Sequence, residues 1–306
     1  MIVEDAVVIF TEKADWHSKG LAAAMAREGL RPTILSMTEC GFDVAPGAPG
    51  APGLSFPGLE GRLPGAIFVR LIPGGTTEQI TTRLGFLHAA RAAGVQVVND
   101  ARAIEVCVDK SMTTFALAHA GLPTPRTAVF ERRDVAQAAF ERMAGDAVLK
   151  PLFGAQGKGL IRLAPGDALP EPDAVGGVYY LQEFVASRGS RIAGGAHDWR
   201  VFVLDGRPIG AMIRRSEGWI TNIFQGAAGE PAATDGEAAA LAVKAAAAVG
   251  ADYAGVDLIE SEDGRFLILE VNSMPAWKGL WEATGVDVAA ALARDMSQRL
   301  ARPDAA

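Results

Sequence analysis

Asp257, Glu270 and Asn272 are the residues whose types and spacing most directly suggest chemistry. They lie in the stretch YAGVDLIESEDGRFLILEVNSMP, Tyr253 to Pro275, where two β-rich runs, Val256 to Ser261 and Arg265 to Val271, flank Asp263-Gly264. Asp-Gly between such runs signals a hairpin. A two-residue turn there sets Glu262 against Arg265 and, counting outward, Asp257 against Glu270. Alternation puts Asn272 on the same face and Val256, Leu258, Leu269 and Val271 on the other. Like charges opposed across a ladder repel, so this pair needs solvent or a cation between its members. Two carboxylates with an amide oxygen suit Mg²⁺, which keeps water and phosphate oxygens in its shell. The competing reading is a hairpin whose acidic face is simply solvated. Asn272-Ser-Met-Pro275 ends the ladder and turns the chain where a ligand can sit.

Three further stretches carry polar chemistry. Strand-like Ala147 to Lys150 leads into Pro151-Leu-Phe-Gly-Ala-Gln-Gly-Lys-Gly159, and Leu160 to Leu163 is strand-like again. Phosphate loops and dinucleotide fingerprints open helices, whereas this loop joins two strands. It either lies over phosphates, with backbone N–H groups and Lys158 facing them, or is a plain hairpin tip. Gln182-Glu183-Phe184-Val185 follows a strand, Val178 to Leu181, and is either a hinge whose backbone reads an adenine edge or a strand end. Arg200, on a strand Trp199 to Leu204, and Arg214-Arg215, closing a strand Pro208 to Ile213, form an anion clamp or a solvated rim.

These residues need a sizeable scaffold, and 306 residues allow two or three domains. Ala6 to Phe10, Ser18 to Glu28 and Pro32 to Leu35 read as strand, helix and strand, the start of an open parallel sheet. Gly41 to Gly65, with its Ala45-Pro-Gly-Ala-Pro-Gly-Ala-Pro-Gly repeat, reads as a mobile surface loop too short for a collagen-like assembly. Ala66 to Leu71 is the next strand, Thr77 to Ala93 a helix and Val95 to Val98 a strand, with a domain boundary at Asn99-Asp100. Helices over Val108 to Ala120 and Val135 to Met143 flank a strand Thr127 to Phe130. Gly226 to Asp235 reads as loop, Gly236 to Val249 as a helix, and Val286 to Leu300 as the last helix.

A net charge of -7 argues against a general nucleic-acid binder, which needs excess Lys and Arg to neutralise phosphates. Cys40 and Cys107 lack metal-ligand spacing and fit a reduced compartment as small buried hydrophobes. The four histidines, His17, His88, His119 and His197, read as structural or surface residues. Ala6 to Phe10 is too short for a signal peptide and Ala238 to Val249 too short to span a bilayer, so the expectation is a cytoplasmic protein without a membrane partner.

Taken in order, Lys110, Lys150, the Gly154–Gly159 loop, Gln182-Glu183, Arg200, Arg214-Arg215, Asn222, Asp257, Glu270 and Asn272 resemble the ATP-grasp superfamily, and more closely the RimK-like α-L-glutamate ligases. The resemblance spans nearly the whole chain, through Lys150 to Gly159, Asp198-Trp-Arg200, Ala254-Gly-Val-Asp257, Leu269-Glu-Val-Asn272 and Thr284-Gly-Val-Asp287. It implies an α/β protein: an open parallel N-terminal domain (1–100), then a two-part ATP-grasp fold of α+β subdomains (101–181 and 182–306) clamping ATP. It further implies that Lys110 and Lys150 contact phosphates beneath Gly154, Gln156, Gly157, Lys158 and Gly159. Gln182, Glu183, Phe184, Val185 and Asn222 would complete the nucleotide site. Asp257, Glu270 and Asn272 would hold Mg²⁺, two ions in number and with Mn²⁺ as a substitute, while Arg200, Arg214 and Arg215 would serve the acyl phosphate or acceptor.

Val69 to Gln79, with Arg83 nearby and Trp277 to Leu280 downstream, is similar to the branch that glutamylates coenzymes, the tetrahydromethanopterin and coenzyme F420 glutamate ligases. Arg70 and Arg83 would then meet the acceptor. The implied activity is ATP-dependent addition of L-glutamate to a carboxylate through an acyl phosphate, with a protein C-terminus as the alternative acceptor and a non-catalytic nucleotide-binding regulator as the alternative class. The implied partners are small molecules, and the sequence is compatible with a homo-oligomer.

Overall fold

The computed structural model describes residues 1–44, 53–154, 157–190 and 195–302. In chain order its elements are β1 (Ile2–Phe10), α1 (Trp16–Arg27), β2 (Arg31–Leu35), β3 (Gly41–Phe42), β4 (Leu54–Ser55), β5 (Leu63–Val69), α2 (Thr77–Ala92) and β6 (Gln96–Val98). Next come α3 (Ala101–Val108), α4 (Lys110–His119), β7 (Thr127–Phe130), α5 (Arg133–Phe140), β8 (Ala147–Lys150), β9 (Ile161–Leu163) and β10 (Tyr179–Glu183). The chain ends with β11 (Ala196–Leu204), β12 (Arg207–Ser216), β13 (Ala228–Pro231), α6 (Glu237–Ala248), β14 (Tyr253–Glu260), β15 (Phe266–Asn272), α7 (Lys278–Thr284) and α8 (Val288–Ala301). Among the described residues, no helix is long and apolar enough to cross a membrane.

Three sheets carry the fold. The first, β2-β1-β5-β6, is parallel, as the strand–helix–strand start predicts. Its inner strand β5 is buried on both faces, whereas the edge strand β2 is partly exposed. The second, β7-β10-β8-β9, and the third, β13-β12-β11-β14-β15, are antiparallel.

The third sheet has two unlike faces. Val201, Val203, Val256, Leu258 and Val271 pack against Ala238, Ala239, Ala242, Ala245 and Ala246 of α6, whose small side chains recur at helical spacing and let the helix lie close. Arg200 and Asp257 alternate with those valines and take the opposite face. Farther along that face, Phe202, Tyr253 and Trp277 enter a core shared with α1, α8 and the first sheet. Asn99 ties the same regions together: its Nδ2 donates to the carbonyls of Tyr253 (2.6 Å) and Ser273 (2.5 Å), and its Oδ1 accepts from Tyr253 N–H (2.9 Å).

Several elements differ from the sequence expectation. The helix expected over 108–120 is α4, and α3 precedes it where no helix is expected; the two meet at Asp109, whose φ −87, ψ 102 is extended and whose Oδ1 caps α4 by accepting from Ser111 N–H. The Gly226 to Asp235 loop contains β13, a sheet-edge strand too short to show periodicity. Gln182 and Glu183 belong to β10. In the Pro/Gly tract, β3 and β4 pair antiparallel, while residues 45–52 lie outside the described residues.

Candidate active site

The hairpin brings Asp257 opposite Glu270, as register counting predicts, by a different route. Ser261 N–H donates to Arg265 O (2.9 Å), so the loop has three residues, Glu262 to Gly264, with Gly264 at φ 82. A three-residue loop shifts the ladder by one, giving Glu260↔Phe266 and Leu258↔Ile268. An irregularity between Asp257 and Leu258, where Leu269 is the extra residue, shifts it back. The correction falls on Leu269, which lines the cleft beside Glu270 instead of joining the core.

Cross-strand pairing assembles the rest of this face. Asp198 of β11 stands opposite Arg214 of β12, and Arg200 of β11 opposite Asp257 of β14. Both pairs are bidentate: Arg214 Nε and Nη2 donate to Asp198 (2.7 and 2.5 Å), and Arg200 Nε and Nη2 to Asp257 (2.6 and 2.6 Å). Arg214 Nη2 also reaches Asp257 Oδ2 at 3.0 Å, and Thr221 Oγ1 donates to Asp198 Oδ2 (2.6 Å). Burial pushes both carboxyls up. For Asp257 the two guanidiniums outweigh it and hold the group below its ordinary value, whereas Asp198, also repelled by Asp257, stays above its own. Burial opposes the charge on Arg214, but the facing aspartates raise its pKa overall.

Two adjoining clefts open on this face. The first, ≈ 760 Å³, runs along Val148, Gln182 to Ser187, Trp219 to Asn222 and Leu269. The second, ≈ 600 Å³, is bounded by Arg70, Lys110, Lys158, Arg200, Asn272 and Lys278. Lys150, Gly157, Leu160, Arg214, Asn222 and Glu270 line both.

At the junction Lys150 Nζ donates to Gln182 Oε1 (2.6 Å), and Gln182 Nε2 donates onward to Thr127 Oγ1 (3.2 Å) and Tyr180 Oη (3.1 Å). Burial, with Lys110 adding to it and Glu270 opposing, lowers the Lys150 pKa from 10.5 to about 8. Lys110 Nζ donates to Gly154 O (2.6 Å) and lies 3.2 Å from Glu270 Oε1. The glycine loop does join two paired strands. Gly157 (φ +67) packs against Ile220, where an added Cβ would come within 2.9 Å, and Lys158 Nζ lies 5.1 Å from the Phe224 ring centroid. Glu183 is 3.7 Å from Arg126 Nη1, Phe184 lies under the Arg162 guanidinium (3.8 Å), and Val185 continues the first cleft's wall. Asn222 Oδ1 accepts from Phe224 N–H (2.9 Å), fixing the turn above the junction.

Two of the expected site residues stand elsewhere. Arg215 alternates to the other face of β12, where it pairs with Glu230 (2.8 Å) at half-exposed positions. Arg83 lines neither cleft; its Nη1 donates to Pro73 O (2.5 Å) and Gly74 O (3.1 Å) and holds that turn. Gln156 lies outside the described residues. Arg70 does reach the second cleft: its Nη1 donates to Met274 O (3.3 Å), it has no ion pair among the described residues, and its buried Nε finds no hydrogen-bond partner. Asp198, Thr221 and Tyr180 escaped the sequence reading as site residues. For Asp198 the Asp198-Trp-Arg200 alternation was the available signal.

Among the described residues, no three of His, Cys, Asp and Glu gather as a cation-binding group. The donor set still suits a hard cation. Glu270 offers a carboxylate, and Asn272, whose Nδ2 donates to Gly255 O (3.3 Å), keeps its Oδ1 as a donor oxygen. Asp257 faces Glu270 across the ladder, but its oxygens are held by Arg200 and Arg214 and would have to exchange those partners.

Residues 107–296 match the RimK-like ATP-grasp domain. Among curated proteins, the chain is 30% identical to the tetrahydromethanopterin:alpha-L-glutamate ligase of Methanosarcina acetivorans, over 92% of this chain and 95% of the relative. It is 38% identical to the protein of that name in Methanococcus maripaludis, over 64% of this chain and 67% of the relative. Among solved structures, the ATP-grasp ligase PsnB complexed with minimal precursor, Mg and ADP aligns with TM-score 0.74 at 20% identity, covering 99% of this chain and 100% of that one. The RimK domain protein of Sphaerobacter thermophilus aligns with TM-score 0.65 at 19% identity, covering 94% and 98%. The fold is that of an ATP-grasp ligase. The chain belongs to the RimK-like ATP-grasp family.

Proposed function

We propose that this ligase adds L-glutamate to a carboxylate-bearing acceptor through an acyl phosphate, releasing ADP and phosphate, and that the acceptor is a tetrahydromethanopterin-like coenzyme. The observation that carries the reading is the sharing of Lys150, Arg214, Asn222 and Glu270 by two clefts, since a phosphoryl donor in one and an acceptor in the other then meet at a single junction. The relatives that are tetrahydromethanopterin:alpha-L-glutamate ligases by name support the choice of acceptor.

In this reading the adenine lies along Glu183 to Val185, in the 182–306 part of the chain, and the phosphates extend to Lys150 and Lys110 beneath the glycine loop. An acceptor carboxylate oxygen, drawn into the second cleft by Arg70, attacks the γ-phosphorus as the bond to the bridging oxygen breaks and ADP departs. The two lysines stabilise the equatorial oxygens. The glutamate amine then attacks the acyl carbon, Arg200 or Arg214 stabilises the oxyanion, and phosphate leaves with the bonding pair as the nitrogen loses its proton. Asp257, Glu270 and Asn272 would hold Mg²⁺, which supplies charge neutralisation to the phosphates. No side-chain nucleophile is needed, because orientation at the junction does the work.

The test is ADP formation that requires both glutamate and acceptor, with labelled glutamate recovered in a small pterin. Formation of AMP would refute the acyl-phosphate route, and label in macromolecules would move the acceptor to a protein terminus.

A further inference from the structure

An aromatic ladder that the ligase chemistry does not use leads away from the second cleft. The Arg70 guanidinium lies 5.4 Å from the Trp277 ring centroid, and Trp277 meets His17 edge-on at 4.8 Å. His17 in turn meets Trp16 edge-on at 5.1 Å, and Trp16 meets Trp281 at 5.7 Å.

The inner members are fixed. Trp277 is 2% exposed. His17 pairs through Nδ1 with Asp15 Oδ2 (3.1 Å), and its Nε2 accepts from Lys278 N–H (3.3 Å). Burial, and then the charge of Arg70, hold its pKa below the ordinary value, so this ring is neutral and stays in place.

The outer two rings are open: Trp16 is 45% and Trp281 47% exposed. On α7 the other positions are already employed. Leu280 fills the core, Gly279 sits against Ile223 and Met212, and Lys278 and Glu282 pair at 3.6 Å while lining the second cleft. Trp281 joins no core cluster among the described residues, yet it stands on the helix that supplies Lys278, Gly279 and Glu282 to the second cleft, and surface indoles held together are a feature of sites that take flat ligands.

We propose that Trp16 and Trp281 form a platform for a flat heteroaromatic ring system of the acceptor, whose carboxylate tail passes Lys278 and Glu282 into the second cleft and reaches Arg70 there. This rests on the assignment of the second cleft to the acceptor. Indole faces reward any planar π-system and give a peptide terminus little, so the pair selects ring-bearing acids over protein acceptors. Indole has only two side-chain torsions to freeze, and the contact between the two rings holds them before a ligand arrives.

The experiment measures equilibrium binding to the ADP-loaded protein by calorimetry, so it needs no turnover. Folic acid serves as the probe that joins a fused heteroaromatic ring to a carboxylate tail, and N-acetylglutamate as the same carboxylate without the ring. Trp281→Ala and Trp16→Ala are expected to weaken folic acid about five-fold or more, as loss of one ring-stacking contact does. Both should leave N-acetylglutamate and ADP affinities unchanged, and Trp281→Phe should restore most of the folic acid affinity. The platform is overturned if the alanine variants bind folic acid like the parent, if they lose N-acetylglutamate equally, or if the parent does not bind folic acid. Absence of glutamate-dependent ADP formation with every acceptor would instead strike at the ligase reading and leave these binding differences standing.

Discussion

Replacing Lys150 with methionine separates what the ammonium costs the fold from what it gives the nucleotide. Lys150 lies half-buried between the two clefts and its pKa falls from 10.5 to about 8, so holding its charge at pH 7 costs on the order of 3 kcal/mol relative to the unfolded chain. Methionine fills similar space without that cost. It leaves Gln182 Oε1 without the donor it has at 2.6 Å, a loss of about 1–3 kcal/mol. The two largely offset, so K150M is expected to be as stable as the parent at pH 7 or up to ~2 kcal/mol more stable, a Tm rise of no more than about 8 °C. The pH dependence fixes the cause. Between pH 8 and 10.5 the unfolded lysine still holds its proton while the folded one has released it, so parent stability rises through this window relative to the variant. The parent should therefore gain up to ~3 kcal/mol on K150M by pH 10.5, and none below pH 8. ADP should stabilise the parent and scarcely stabilise the variant. Urea unfolding at pH 7.0 and 9.5, with and without ADP, reads all three. A variant more than ~1 kcal/mol weaker at pH 7, with a gap that does not change with pH, would refute the argument.

Adjacent arginines on β12 should behave oppositely. Arg214→Ala leaves Asp198 buried and unpaired and should cost about 3–5 kcal/mol in urea unfolding, whereas Arg215→Ala breaks an exposed pair worth ~1 kcal/mol or less and should retain near-parental turnover; equal losses would contradict the placement. Arg83→Ala should lower Tm by releasing the Pro73-Gly74 carbonyls yet leave acceptor KM within about two-fold, and a selective KM rise would return Arg83 to the acceptor. Glu270→Gln should abolish turnover and Mg²⁺-dependent tightening of ATP while leaving Tm within a few degrees; persistence of that tightening would remove Glu270 from the metal set.

Most strands and helices were legible because they are local: alternation and helical spacing are written within a few residues of one another. The glycine loop between paired strands and the buried face of α6 are of this kind. What could not be read depends on partners distant in sequence. Gln182 looks like part of a hinge, yet its amide orients Lys150, 32 residues away. Asn99 reads as a domain boundary, yet it clamps Tyr253 and Ser273 across more than 150 residues. Arg83 has the composition of an anion contact and spends its donors on a turn. A side chain's type tells what it can bond, and only the fold decides to which of several candidates it is committed.

The β14–β15 hairpin shows why local counting can succeed at its target and fail between. A two-residue turn and an unbroken ladder give Asp257 opposite Glu270, and so do a three-residue turn and one bulge. The two solutions differ in where Leu269 goes and in local twist. A regular strand would send Leu269 to the α6 side with Val271 and leave Glu270 on the opposite face without Leu269 beside it. The bulge turns Leu269 into the first cleft beside Glu270, so that an apolar wall and a carboxylate come from consecutive residues. The extra residue costs the ladder its regularity at Asp257, the position where Arg200 and Arg214 converge. Regular pairing would have served stability there. The irregularity instead places a carboxylate and an apolar contact together at the junction of the clefts.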